Sequence, residues 1–265
     1  MCCRVVVFGI TGSIGTGAEK IISAFPEKFK IVGCSAGKNT ELLNTLIGRH
    51  SNTVEAVAVK DTENGASVEF DSEKVFYGEK GLLKLLDLKP DKIINAIAGN
   101  SGWKITLEAV KRGIPVCLAN KESVVIAGYY LGKEITTDRS KIIPIDSEHA
   151  ALMQIMGKSD LHNVTKVYLT ASGGALRNMS SEKMLQADAA TALNHPVWNM
   201  GAKVTVDSAT MLNKGLELIE AYWLFGIEPE KLGVLVHPEV DVHGLEGRRA
   251  GAARDVVQEP AQGRR

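Results

Sequence analysis

Hydrophobic and polar positions alternate in blocks along this chain, and the blocks change period. Val5 to Gly9 (VVVFG) is an unbroken apolar run of β-branched and aromatic residues, which predicts a strand buried on both faces, as in a parallel sheet. Similar short runs at Ile31–Ser35, Val57–Val59, Lys92–Ile97, Val116–Ala119, Ile142–Ile145 and Val167–Thr170 predict further strands. Between them the apolar residues move to helical spacing. A helix is expected from about Ile14, one over Gly81–Leu88 ended by Pro90, one over Ile105–Lys111 closed by Gly113, and one over Ala150–Met156. Strands alternating with helices mean an open α/β sheet, with ligands at the carboxyl ends of its strands.

The polar residues at those strand ends carry the chemistry. Gly9, Gly12 and Gly15 recur at three-residue spacing directly after the first strand and lead into a helix. Such a turn brings backbone close to a pyrophosphate at a helix N-terminus, although a purely structural glycine turn would look the same. The second strand ends in Ala36, Gly37, Lys38 and Asn39, where an NAD site would place an acid for the ribose 2′-hydroxyl. A cation in that place favours a 2′-phosphate, hence NADP over NAD. Asn120, Lys121 and Glu122 follow the fifth run, Val116–Ala119, where substrate or nicotinamide would be met; a helix-capping turn with an ordinary lysine is an equal alternative.

Asp146, Ser147, Glu148 and His149 follow the next run. Two carboxylates two residues apart are costly to hold together without a cation, and oxygen ligands select Mg²⁺ or Mn²⁺ over zinc. Ser208 to Glu217 (SATMLNKGLE) reads as a loop entering a helix that carries Asn213, Lys214 and Glu217 on one face. Ser208, Asn213 and Lys214 suit a phosphate, and Glu217 suits a hard metal; a surface ion pair is the alternative. Ser172, Gly173 and Gly174 form a candidate anion-binding turn. His195, Trp198 and Met200 crowd a segment of poor periodicity that suits a flap over a ligand.

Composition adds limits. Hydrophobic residues make up 45% and charged residues 23%, and Lys+Arg equals Asp+Glu at 31 each. Nothing global points to nucleic acid or to an anionic membrane, so an anion site must be local. The four cysteines lack metal-ligand spacing and fit a reducing, cytoplasmic setting. The first strand starts at about Arg4, which leaves no room for a signal or transit peptide, and no apolar run reaches the roughly 18 residues of a membrane span.

Taken together, TGSIG, AGKN, ANKES, DSEH, LTASGG, HPVWNMG and DSATMLNKGLE resemble, in order, the motifs of the 1-deoxy-D-xylulose 5-phosphate reductoisomerase family, over about Val5 to Glu239. The resemblance implies a Rossmann-like NADP-binding domain over residues 1–145 and an α+β catalytic and connective domain over 146–240. It implies an NADPH- and metal-dependent conversion of 1-deoxy-D-xylulose 5-phosphate to 2-C-methyl-D-erythritol 4-phosphate in isoprenoid biosynthesis, by a homodimer. Thr11, Gly12, Ser13, Ile14, Gly37, Lys38, Asn39, Asn120, Glu122 and Gly201 would contact NADPH. Asp146, Glu148 and Glu217 would bind Mn²⁺ or Mg²⁺. Lys121 and Ser147 would meet the sugar phosphate, with Ser172, His195, Ser208, Asn213 and Lys214 at its phosphate and Trp198 over it. Lys121, Glu148 and His195 are the candidate catalytic residues. The alternatives are another NADP-dependent oxidoreductase or a non-catalytic NADP-binding remnant.

Two departures stand out. Ile10 replaces the family's usual serine within the glycine turn. After Glu239 the family continues with a further strand and a C-terminal helical domain, whereas residues 241–265 are rich in Gly, Ala and Arg and lack lysine. That composition predicts a disordered tail of unrelated sequence, and it puts dimerisation and full activity in doubt.

Overall fold

In a computed structural model the structure describes residues 2–60, 68–137, 141–156, 164–198, 200–239, 242–248 and 254–257. The chain forms two compact units, divided between Ile143 and Pro144.

The first unit is an α/β sheet. Its strands are β1 (Cys3–Phe8), β2 (Phe29–Ala36), β3 (Ala56–Val59), β4 (Val75–Tyr77), β5 (Lys92–Asn95), β6 (Val116–Leu118) and β7 (Ile142–Pro144), in the order β4-β3-β2-β1-β5-β6-β7. β1 lies in the middle, paired in parallel with both β2 and β5. The strand order therefore reverses at β1, and it is beyond the carboxyl end of such a strand that open α/β sheets take their ligands. Val6, Val7, Phe8, Ile31 and Val57 are fully buried, as runs covered on both faces must be.

The helices of this unit are α1 (Ser13–Ala24), α2 (Thr40–Arg49), α3 (Gly78–Lys84), α4 (Trp103–Lys111) and α5 (Lys121–Thr137). The helix expected over Gly81–Leu88 begins earlier and tightens into a 3₁₀ turn at Leu85–Leu88, ended by Lys89 with φ 51°. Ile10 is 1% exposed and belongs to the cluster built around β1, β2 and β3. It plugs the core beneath the turn, which explains an apolar residue there.

The second unit is built on a sheet of order β11-β10-β8-β9, from β8 (Val164–Ala171), β9 (Leu232–Val236), β10 (Val242–Arg248) and β11 (Arg254–Val257). β8 and β9 run parallel, whereas β10 is antiparallel to both β8 and β11. Helices α6 (Ser147–Met156), α7 (Ser181–Leu185), α8 (Ala189–Leu193), α9 (Ala202–Ala209) and α10 (Leu212–Phe225) complete it. α6 packs on β10 and β11, and α10 on β8 and β9.

Two expectations are corrected here. The region expected to be a disordered tail supplies β10 and β11; its remaining residues lie outside the described ones. Strand pairing uses main-chain groups, and the open edge of β8 offers them whatever the side chains are. Ser208 lies on α9 rather than in a loop. Met211, with φ 59°, turns α9 into α10 and thereby sets the spacing between Ser208 and the Asn213–Lys214 pair.

Candidate active site

In the first unit the turn after β1 is shaped by close packing. Gly9 has φ +77°, and a Cβ there would meet the Ala96 carbonyl oxygen at 2.8 Å. A Cβ on Gly15 would meet the Gly9 oxygen at 2.2 Å. The turn is also tied to β2: Gly9 N–H donates to Ser35 Oγ at 3.1 Å, and Ile10 N–H to Ser35 O at 2.9 Å. These contacts leave Gly12, Ser13 and Ile14 exposed at the start of α1, with Thr11 half-buried. No side chain caps that helix, so its first N–H groups face outward, as an anion site requires. Lys38 is exposed just past β2 beside Gly37. Asn39 Oδ1 accepts from Leu42 N–H at 3.0 Å and caps α2, so part of its polar capacity is structural.

Asn120 turns out to be a strut. Its amide donates to the carbonyls of Ile97 and Gly99, and its Oδ1 accepts from both the backbone and the hydroxyl of Ser123. Asn95 donates to Gly102 O at 2.9 Å and to Thr106 Oγ1 at 2.8 Å. This buried net fixes the loop 97–102 against the start of α5, where Lys121 (8% exposed) and Glu122 stand. Asn95, Thr106 and Ser123 were not singled out in the sequence, because polar residues inside strand and helix patterns carry no period of their own.

In the second unit, Asp146 follows β7, Glu148 lies in the first turn of α6 and Glu217 projects from α10. One oxygen from each lies within 4.8 Å of the others. At that spacing each carboxylate pair repels by about 3 kcal/mol at an effective dielectric of about 20. Cations offset this. Lys214 Nζ is 2.8 Å from Glu148 Oε1 and also bonds Glu217 Oε2. Burial alone would lower the pKa of the Lys214 ammonium, but the charges of Glu148 and Glu217 and hydrogen bonds to both hold it above its ordinary value.

His149 is fully buried. Its Nε2 lies 3.0 Å from the Glu217 carbonyl oxygen, and its Nδ1 lies 3.3 Å from Asp146 Oδ1 and 3.4 Å from Glu220 Oε2. Burial would favour the neutral ring; Glu220, Asp146 and Glu217 reverse that and raise the pKa to about 9. Among the described residues, four carboxylates thus gather around the Lys214 ammonium and the His149 ring, an excess of negative charge that a divalent ion would offset. The donors are all oxygen, which fits Mg²⁺ or Mn²⁺. His149 and Glu220 each sit three residues after a predicted ligand, Glu220 on the same face of α10 as Glu217 and His149 in the first turn of α6 after Asp146, and that spacing is the sequence signal for them.

Other expected residues are placed as follows. Asn213 Nδ2 donates to Glu217 Oε1, so Asn213 and Lys214 address the carboxylates, not only a phosphate. Ser147 is exposed, and its hydroxyl donates to Glu148 Oε2 at 2.6 Å. Ser172 Oγ is 2.9 Å from His195 Nε2. Gly174, with φ +70°, is packed so tightly that a Cβ would meet Ser208 O at 2.2 Å, which brings the Ser172–Gly174 turn against the end of α9. The Gly174 N–H points to Ser172 Oγ, so it is not free to form the anion nest expected from the sequence. Trp198 is half-buried behind His195, and Gly201 is the N-cap of α9.

Comparison with known proteins agrees with both units. A family model described as 1-deoxy-D-xylulose 5-phosphate reductoisomerase matches residues 5–128, and one described as that enzyme's C-terminal domain matches 142–225. The chain is 40% identical over 240 residues to the 1-deoxy-D-xylulose 5-phosphate reductoisomerase of Macrococcus caseolyticus, covering 90% of this chain and 63% of that protein. The Thermodesulfovibrio yellowstonii protein of the same name is also 40% identical, with 91% and 64% covered. The chain therefore spans just under two thirds of the length of these curated relatives. Among solved structures, the Zymomonas mobilis reductoisomerase in complex with NADPH superposes with a TM-score of 0.85 at 32% identity, covering 98% of this chain and 68% of that one. A DOX-P reductoisomerase solved with NADPH, fosmidomycin and magnesium gives the same TM-score and identity, covering 96% and 66%. From its β1 turn to its carboxylate cluster, the chain belongs to the 1-deoxy-D-xylulose 5-phosphate reductoisomerase family.

Proposed function

We propose that this chain takes part in the NADPH- and divalent-metal-dependent conversion of 1-deoxy-D-xylulose 5-phosphate to 2-C-methyl-D-erythritol 4-phosphate, a step of isoprenoid biosynthesis. The observation that carries the reading is the convergence of Asp146 and Glu148, at the start of α6, with Glu217 of α10 far along the sequence, which together supply an all-oxygen donor set. Support comes from the uncapped start of α1 after a glycine turn and from the relatives solved with NADPH and with magnesium.

The carboxylates would hold Mg²⁺ or Mn²⁺, whose contribution when bound is Lewis acidity toward the substrate's carbonyl and hydroxyl oxygens. NADPH would supply the hydride that reduces the rearranged carbonyl, with one proton completing the balance. Gly12, Ser13 and Ile14 would receive the pyrophosphate, with Thr11 beside them, and Gly37, Lys38 and Asn39 the 2′-phosphate. Asn120 would hold Lys121 and Glu122 in place, the first toward substrate and the second toward cofactor. Ser172, His195, Ser208, Asn213 and Lys214 would bind the substrate phosphate, and Ser147 and Trp198 the sugar. Lys121 and Glu148 are the groups suited to handling protons. Homodimerisation and a cytoplasmic location come into this reading with the family resemblance alone.

The test is NADPH oxidation at 340 nm with deoxyxylulose phosphate and Mg²⁺. Turnover abolished by EDTA and restored by Mg²⁺ or Mn²⁺ supports the reading; EDTA-resistant oxidation contradicts it.

A further inference from the structure

Arg177 lies outside every motif considered above, yet its guanidinium is bonded to the Ser172 turn of the candidate phosphate subsite. Its Nη1 donates to the Ser172 carbonyl oxygen at 2.6 Å. Its stem lines the turn: a Cβ on Gly173, which has φ +85°, would meet Arg177 Cβ and Cδ at 3.0 Å. The charge of Arg177 therefore sits beside the Ser172–Gly174 backbone and near His195.

The hydrogen bonds around His195 fix its tautomer. Its Nδ1 faces two backbone donors, Val197 N–H at 3.1 Å and Trp198 N–H at 2.9 Å. A ring nitrogen that accepts from N–H groups carries no hydrogen, so the imidazole is neutral with its hydrogen on Nε2. Nε2–H then donates to Ser172 Oγ at 2.9 Å, and Gly174 N–H donates to the same oxygen at 3.3 Å. Both lone pairs of that hydroxyl are taken up, so its own hydrogen must be donated elsewhere. Burial first, and the Arg177 charge second, lower the pKa of His195 and so favour this neutral form.

We propose that Arg177 is a positioning residue of the phosphate subsite: by anchoring the Ser172 carbonyl and facing His195 with a cation, it makes the Ser172 hydroxyl an outward donor to a phosphoryl oxygen. The proposal rests on the sugar-phosphate reading given above, and it assigns His195 the role of a fixed neutral donor instead of a proton-transfer group. Removing the guanidinium costs a charge-assisted hydrogen bond and frees the Ser172 carbonyl, while the backbone donors at His195 Nδ1 still fix the tautomer.

The experiment titrates the full chain with inorganic phosphate and records long-range ¹H–¹⁵N spectra of the histidine rings, for the wild type and for Arg177→Met and Arg177→Lys. In the wild type, His195 is expected to show the neutral Nε2–H pattern at pH 7. Arg177→Met is expected to weaken phosphate binding about tenfold or more. Arg177→Lys, which keeps the charge, is expected to recover part of the loss while the Nε2–H pattern persists. An imidazolium or Nδ1–H pattern in the wild type would overturn the proposal without any variant. So would equal phosphate affinity in wild type and Arg177→Met. A wild type that binds no phosphate would remove the sugar-phosphate reading itself, and this proposal with it.

Discussion

Gly15→Ala sets two effects of known size against each other. Gly15 lies in the first turn of α1, and alanine in a helix is favoured over glycine by about 1 kcal/mol. Helix propensity alone therefore predicts a more stable protein. The structure predicts the opposite. The new Cβ would stand 2.2 Å from the Gly9 oxygen, 2.6 Å from Ile10 Cα and 2.8 Å from Ile10 C, all of them backbone atoms. Ordinary carbon contacts begin near 3.5 Å, so the helix and the turn must separate by about 1 Å. The turn cannot retreat, because Gly9 already rests on Ala96 and the buried Ile10 fills the core beneath. Overpacking of this kind costs about 1–3 kcal/mol, more where only backbone can yield, which exceeds the propensity gain. The same shift moves the α1 N–H groups off a bound pyrophosphate, and NADPH affinity is expected to fall at least tenfold. Gly17→Ala is the internal control: it lies in the same helix with nothing within 4 Å of its added Cβ, and it should stabilise slightly. Denaturant unfolding and NADPH fluorescence titration of both variants decide the matter. If Gly15→Ala matched Gly17→Ala in stability and bound NADPH like the wild type, the close contact between turn and helix would be refuted.

Two further predictions concern the first unit. Arg4 holds the Glu55 carboxyl below its ordinary pKa of 4.5 through a hydrogen bond at 2.8 Å. A depressed folded pKa means that this contribution is present above about pH 4.5 and is lost as pH falls through the folded value. Glu55 is 45% exposed, so Glu55→Gln should cost at most about 1 kcal/mol at pH 7, and the cost should shrink as pH falls below about 4.5, read from paired melting curves. Burial pushes the Cys34 thiol up to about 12, so at pH 8 it should resist alkylation while half-buried Cys2 reacts; mass spectrometry after iodoacetamide treatment counts the labelled sites.

The residues show which features of fold and site the sequence made legible. β1, its glycine turn and α1 were readable because a buried parallel strand leaves an unbroken apolar run and a tight turn demands glycine. Asp146, Glu148 and Glu217 were readable as chemistry, since adjacent carboxylates need a counter-charge. β4 is illegible because Val75–Tyr77 is a short apolar stretch set between charged residues, Glu73-Lys74 before it and Glu79-Lys80 after it. α9 is illegible because Val204, Thr205 and Val206 are poor helix formers, and because the left-handed Met211 that separates it from α10 follows no local rule. β10 and β11 were missed because composition describes side chains, whereas the edge of β8 recruits backbone. Arg177 acts through a backbone carbonyl, and His149 meets Glu217 O and Glu220 far along the chain; those partners are visible only in three dimensions, whereas its contact to Asp146 follows from local spacing.

The proposed activity depends above all on three acidic side chains, Asp146, Glu148 and Glu217, gathering one dication. Electron paramagnetic resonance of Mn²⁺ titrated into the full chain measures that directly, because bound Mn²⁺ loses the six-line signal of the free ion. One saturable Mn²⁺ per chain, displaced by Mg²⁺ and weakened at least tenfold by Glu217→Gln, is the predicted result. No saturable binding, or binding of equal strength in Glu217→Gln, would contradict it.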